Sequence, residues 1–228
     1  EEVIESCWAQ EASMAGFSAG EPCTVMDMLY GAALPSGADA TIGLAYYVSG
    51  SERAFVRLMN RKVKELGLKD THFMNSSGLH DENHYSTAAD MAVILEYCLQ
   101  NELCRQVIST AHYTTSSTEN HPDGIYLSDT MFNKMDGHEV PGITIKGGKT
   151  GFTDEAGHCL ASYGETNDGQ CYIVVTSKGT DRFQPVYDCI KLYGSAVGVP
   201  EETETIPPAT LAPSADIAQG TQELAPAA

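Results

Sequence analysis

The stretch Ile145-Lys146-Gly147-Gly148-Lys149-Thr150-Gly151-Phe152-Thr153 decides how this chain is read. A lysine held by a strand puts fixed positive charge beside an anionic or developing oxyanion group. The adjacent threonine hydroxyl donates a hydrogen bond, and the glycines let a ligand approach the backbone closely. All three properties suit acyl transfer. Lys-Thr-Gly on its own is three common residues, which a surface turn would equally use. A phosphate-binding loop of the form Gly-x-x-x-x-Gly-Lys-Ser/Thr is excluded, because it needs glycine at position 143, which is Ile.

Outward from this stretch, Ile143 to Lys146, His158 to Tyr163 and Cys171 to Thr176 read as strands, the last two joined by a two-residue turn around Asn167-Asp168-Gly169. Upstream the pattern is helical. Cys23 to Leu34 opens with Thr24 and Asp27 at capping-box spacing and is expected to stop at Pro35-Ser36-Gly37. Asp39 to Val48 is a short Ala-rich helix, and Ser51 to Leu66 carries Phe55, Leu58, Met59, Val63 and Leu66 on one face. Thr87 caps a helix through Leu99 with Met91, Ile94, Leu95 and Cys98 on its stripe, and Phe183 to Val197 closes the body. Helices first and strands last predict an α+β fold with a mainly antiparallel sheet flanked by helices.

The 228 residues, 42% of them hydrophobic, suit one core. From Val199 onward Pro, Ala, Thr and Glu dominate, so 1–198 is expected to be the folded domain and 199–228 a disordered linker or tail. Thirteen Lys plus Arg against 31 Asp plus Glu give −18, and removing the tail's five acidic residues still leaves −13. That balance opposes nucleic acid and anionic membranes as partners. No apolar run reaches the roughly 20 residues a membrane span needs. Seven cysteines are too scattered for a Cys-x-x-Cys metal site, and the turn would set Cys171 opposite Thr166, away from Cys159, so a Cys159–Cys171 disulfide is not expected. Free thiols fit reduced surroundings and equally an exported protein of an anaerobe.

The wider series carries more than any one piece. Pro35-Ser36-Gly37-Ala38-Asp39-Ala40 is followed by Leu66-Gly67-Leu68-Lys69-Asp70-Thr71-His72-Phe73-Met74-Asn75 and Ser86-Thr87-Ala88-Ala89-Asp90-Met91-Ala92. Then come Lys149-Thr150-Gly151-Phe152-Thr153 and Ala156-Gly157-His158-Cys159-Leu160. Over about residues 22 to 195 this order resembles the serine-type D-alanyl-D-alanine carboxypeptidases, the low-molecular-weight penicillin-binding proteins. The resemblance implies a β-lactamase/transpeptidase-like fold and an extracytoplasmic serine peptidase acting on peptidoglycan stem peptides ending in D-Ala-D-Ala. It also implies β-lactam binding and no metal or organic cofactor. Ser36 would be a proton-relay hydroxyl, Lys149 and Thr150 would hold the terminal carboxylate, and Gly151 would let the strand lie close. The Phe152 N–H would be an oxyanion donor. Arg182 lies in a loop where the family carries a carboxylate-binding arginine.

Two departures stand against full activity. Where the family's second motif commonly ends in Asn, this chain has Ala38, and no serine has Lys three residues later, so the Ser-x-x-Lys nucleophile and base are absent. With only 35 residues before Ser36, the expectation is that the N-terminal strands and nucleophile helix are missing, the chain being either truncated or one piece of a cleaved enzyme whose separate N-terminal fragment would be a partner. A non-catalytic wall-peptide-binding or regulatory protein of the same fold is the rival. Among other constellations, His80 and His84 lack the His-Glu-x-x-His order of a zinc peptidase and read as a solvated loop. Glu96 sits inside a helix rather than in a hydrolytic loop, and Trp8 reads as a packing residue.

Overall fold

The computed structural model describes residues 10–135 and 139–198, with Val3, Glu5 and Cys7. Trp8 and the expected tail lie outside the described residues. Helices α1 (Val25–Ala33), α2 (Ala38–Ser49), α3 (Glu52–Glu65), α4 (Ala88–Leu99) and α5 (Glu102–Ile108) come first. The short pair β1 (His112–Thr114) and β2 (Tyr126–Ser128) and the one-turn helix α6 (Phe132–Met135) lead into a hairpin sheet. That sheet is β3 (Ile143–Thr153), β4 (Gly157–Thr166) and β5 (Cys171–Gly179), closed by α7 (Gln184–Ala196). It runs β3-β4-β5, antiparallel throughout.

Local chemistry starts these helices where expected. The Thr24 hydroxyl accepts from the Asp27 N–H while the Asp27 carboxylate accepts from the Thr24 N–H, a full capping box. Ser51 and Thr87 cap α3 and α4 by accepting from Ala54 and Asp90. Short periods carried no signal for β1, β2, α5 and α6, which the sequence reading lacked.

Three corrections apply to the strands. They are longer than expected, and Lys149-Thr150-Gly151 lies inside β3 rather than beyond a strand ending at Lys146. Four residues, 167–170, separate β4 from β5 in place of a two-residue turn, with Gly169 at φ 85° and its N–H donating to the Thr166 carbonyl. Cys171 therefore faces Glu165 instead of Thr166, still far from Cys159, and all seven cysteines are free.

Two cores flank the sheet. On one face Leu160 and Val174 pack against Met131, Val186, Cys189 and Tyr193. The fully buried Ser162 hydroxyl is satisfied there by Tyr193 Oη at 3.1 Å and Cys189 Sγ at 3.0 Å. In the helical layer Tyr30, Leu34, Ala40, Val107 and Leu127 form the second core. A bulge at Lys146 links the two. Ile145 opposes Gly164 and Gly147 opposes Tyr163, so one extra β3 residue reverses the alternation of faces. Ile143 and Ile145 thus join the α7 core, while Gly147 and Lys149 turn to the helical side.

Candidate active site

The helical layer and β3 enclose an apolar-walled groove of about 960 Å³. Ser36, Lys149, Thr150, Gly151 and Phe152 all line it, while Leu29, Met59, Phe73 and Met91 supply its apolar walls. At its floor Lys149 Nζ donates a hydrogen bond to Ser36 Oγ, and a second one, 2.8 Å long, to the Thr150 carbonyl. The bulge at Lys146 makes this meeting possible, since an uninterrupted strand would aim Lys149 into the apolar core.

Ser36 sits between α1 and α2 at φ 63°, a conformation that a non-glycine residue holds only when its surroundings impose it. The surroundings do so. The Asp39 carboxylate accepts from the Ala15, Gly16 and Phe17 N–H groups at 2.8, 3.0 and 3.1 Å, binding the preceding chain against the start of α2. Gly37 is fitted tightly between them, because a Cβ there would lie 2.6 Å from the Ala15 methyl and 2.7 Å from Asp39 Oδ1. Ala38 is 3% exposed and packs among Cys7 and Ile42.

Burial pushes the Lys149 ammonium down to about 8, opposed by the nearby Asp129 carboxylate and assisted by Lys134. The residue is only half-buried as a whole, so its head is sunk while the groove still opens onto it. Asp129 is itself raised by burial, which outweighs its bonds from the Phe132 and Met131 N–H groups and the Lys149 charge. Thr130 Oγ1 hydrogen-bonds Thr150 Oγ1, placing a second hydroxyl beside the lysine.

Of the expected residues, Arg182 stands apart. It does not line the groove; its guanidinium lies 4.8 Å over the Phe183 ring, close enough to Lys134 to depress that amine after burial has done so first. The sequence reading missed Asp39, Asp129, Thr130 and Lys134. An acid in the first turn of α2 was a usable signal for Asp39. The other three precede or occupy a single helical turn and had none. Phe152 is 57% exposed and stacks on its cross-strand partner His158, centroids 4.2 Å apart, at the mouth of the groove. His84 also borders the groove, burial holding its imidazole below the usual range, whereas His80 pairs with Glu155 at 3.5 Å. Among the described residues no three His, Cys, Asp or Glu side chains converge as metal ligands, and Glu96 is exposed on α4. No helix among them is long and apolar enough to cross a membrane.

Known proteins resemble this chain in sequence and in backbone. The family profile described as D-alanyl-D-alanine carboxypeptidase matches residues 2–180. The D-alanyl-D-alanine carboxypeptidase DacF of Bacillus subtilis is 39% identical over 175 residues, which are 75% of this chain and 43% of that protein. DacA of Escherichia coli K12 is 33% identical over 168 residues, 72% of this chain and 38% of that protein. The chain therefore spans less than half the length of these two relatives. Among solved structures, a point mutant of the Streptomyces K15 DD-transpeptidase superposes with a TM-score of 0.75 at 28% identity, covering 86% of this chain and 77% of that one. Penicillin binding protein 5 from Haemophilus influenzae gives 0.71 at 29% identity, covering 84% of this chain and 54% of that one. Matched in sequence and in backbone along most of its length, the chain belongs to the D-alanyl-D-alanine carboxypeptidase family and has its β-lactamase/transpeptidase-like fold.

Proposed function

We propose that this chain forms the substrate-holding wall of a D-alanyl-D-alanine carboxypeptidase site, acting outside the cytoplasmic membrane on peptidoglycan stem peptides. The observation that carries the reading is the contact of Lys149 Nζ with Ser36 Oγ at the floor of the groove. In this reading a serine Oγ attacks the carbonyl of the penultimate D-Ala, the amide C–N bond breaks, and Ser36 passes a proton to the departing D-Ala amine. Water then hydrolyses the acyl-serine ester. Lys149 and the Thr150 hydroxyl hold the terminal carboxylate, and the Phe152 N–H faces the oxyanion. Arg182, outside the groove lining, reaches the site in this reading only through its charge on Lys134. The reaction calls for no metal or organic cofactor. β-Lactams, which present a carboxylate and a strained acyl group, should occupy the same wall.

The attacking serine and its lysine base belong to a Ser-x-x-Lys segment that this sequence does not contain. Residues 1–198 are accordingly read as part of the catalytic domain and 199–228 as a linker. Fluorescent penicillin tests the division of labour. The chain alone should bind a D-Ala-D-Ala-terminated peptide without covalent labelling by penicillin, and Lys149→Ala should abolish the binding. Adding a segment that carries Ser-x-x-Lys should restore labelling. Covalent labelling of the chain alone would overturn the assignment of the nucleophile, and peptide binding indifferent to Lys149→Ala would overturn the role of the groove. Ala38 favours one second reading, a non-catalytic wall-peptide binder; peptide binding with no labelling after the segment is added selects it.

A further inference from the structure

A second cavity, of about 870 Å³, lies on the other side of α6 from the Lys149 groove. The one-turn helix is the wall between them: Lys134 faces the first, while Phe132, Asn133 and Met135 line the second. The two differ in chemistry. The Lys149 groove gathers cations and hydroxyls beneath apolar walls. The second has an apolar base of Phe132, Met135, Val140 and Ile143, with the His112 imidazole, the Asn133 and Asn167 amides, the Thr144 hydroxyl and the Glu139 carboxylate as its polar lining.

A flat aromatic rim continues from it. In the β1–β2 pair Tyr113 and Leu127 point inward, Tyr113 stacking on Tyr30 and Leu127 being 2% exposed. Alternation then sends His112, Tyr126 and Ser128 outward. Tyr126 is 65% exposed, with its ring stacked on His112 at 5.4 Å between centroids and 22° between planes. Ser128 Oγ is tied to the Asn133 amide, receiving from Nδ2 at 2.8 Å and donating to Oδ1 at 3.2 Å. Tyr126, His112, Ser128 and Asn133 thus make one row from an exposed ring down into the cavity.

We propose that this row and cavity bind the amino-sugar glycan to which the stem peptide is attached. A pyranose offers an apolar C–H face and a rim of hydroxyls. The first suits an exposed ring that loses little entropy on binding, and the second suits amides and imidazole that both donate and accept. The N-acetyl group adds one more amide. Spacing agrees: from Thr144 to Lys149 along β3 is about 16 Å at roughly 3.3 Å per residue. A four- to five-residue extended peptide spans about the same length. One substrate could therefore place its sugar in the second cavity and its terminal carboxylate at Lys149. The choice of an amino sugar rests on the proposed function; the surface itself is separate from Lys149.

Titrating the full chain with tri-N-acetylchitotriose, followed by heteronuclear NMR, tests this. Shifts confined to His112, Tyr126, Ser128, Asn133 and Asn167 are expected, lost in Tyr126→Ala and in Asn133→Ala and kept in Lys149→Ala. Tyr126 and Asn133 are both exposed, so these variants should keep the wild-type fold, which their remaining amide spectrum reports. No shift on this face, shifts that survive Tyr126→Ala, or an equal response to maltotriose would overturn the proposal. So would the same shifts from a sugar-free D-Ala-D-Ala peptide. If Lys149-dependent peptide binding failed while trisaccharide binding persisted, the proposed reaction would fall and this site would stand.

Discussion

At Lys149 the decisive quantity is the cost of burying an ammonium. The folded chain holds it near 8, well below the ordinary lysine value of 10.5. As pH rises through that value the charge is lost, so affinity for a carboxylate-terminated peptide should fall. A bound carboxylate favours the charged form, so the midpoint should lie between about 8 and 10.5, and a binding titration over that range measures it. A flat profile would contradict the role of Lys149. The neighbouring glycines separate packing from recognition. A Cβ on Gly147 would sit 2.3 Å from the Ile108 carbonyl, so Gly147→Ala should push β3 from α5 at a cost of about 1–3 kcal/mol in urea unfolding. Gly151 has nothing within 4 Å, so Gly151→Ala should change stability by no more than about 0.5 kcal/mol while impeding the peptide.

Among the elements, the loops rather than the helices need explaining. The Glu21 side chain, 2% exposed, accepts from the Ser18 N–H at 2.8 Å and from the Thr118 hydroxyl, and pairs with His121 Nδ1 at 2.7 Å. It joins the segment before α1 to the loop between β1 and β2. Burial would raise this carboxyl, but the Thr118, His121 and Ser18 bonds outweigh it and hold it below its ordinary 4.5. A carboxyl so lowered stabilises the fold above its unfolded value, and the contribution is lost as pH falls through the folded value. Glu21→Gln should therefore cost about 1–3 kcal/mol at neutral pH. The variant should also lose less stability than wild type when denaturant melts are repeated below pH 4.5. Equal acid sensitivity in both proteins would rule this out. None of this was visible in sequence, where Glu21 and His121 lie 100 residues apart. Thr24 and Asp27 were legible because a capping box closes within one turn.

For the molecule as a whole, the sheet is the open question. Among the described residues no strand pairs with the outer edge of β5, whose Tyr172, Ile173, Val174 and Val175 are half-buried. Unpaired N–H and C=O groups beside apolar side chains invite pairing with another strand. Sedimentation velocity should show association that increases with protein concentration, and a monomer throughout would contradict it.

The family and the α+β order were readable along the chain because they rest on local matters: caps, apolar periods and short motifs in a set sequence. Ser36, Lys149, Thr150, Gly151 and Phe152 were found that way, and all of them line one groove. Arg182, inferred from its loop, does not. Folding added what spacing cannot express. One unpaired residue at Lys146 turns Lys149 toward Ser36, 113 positions away, and Asp39 holds Ser36 through amides of a segment with no motif of its own. Strand register and long-range hydrogen bonds set these relations, and both depend on partners that are distant in the chain.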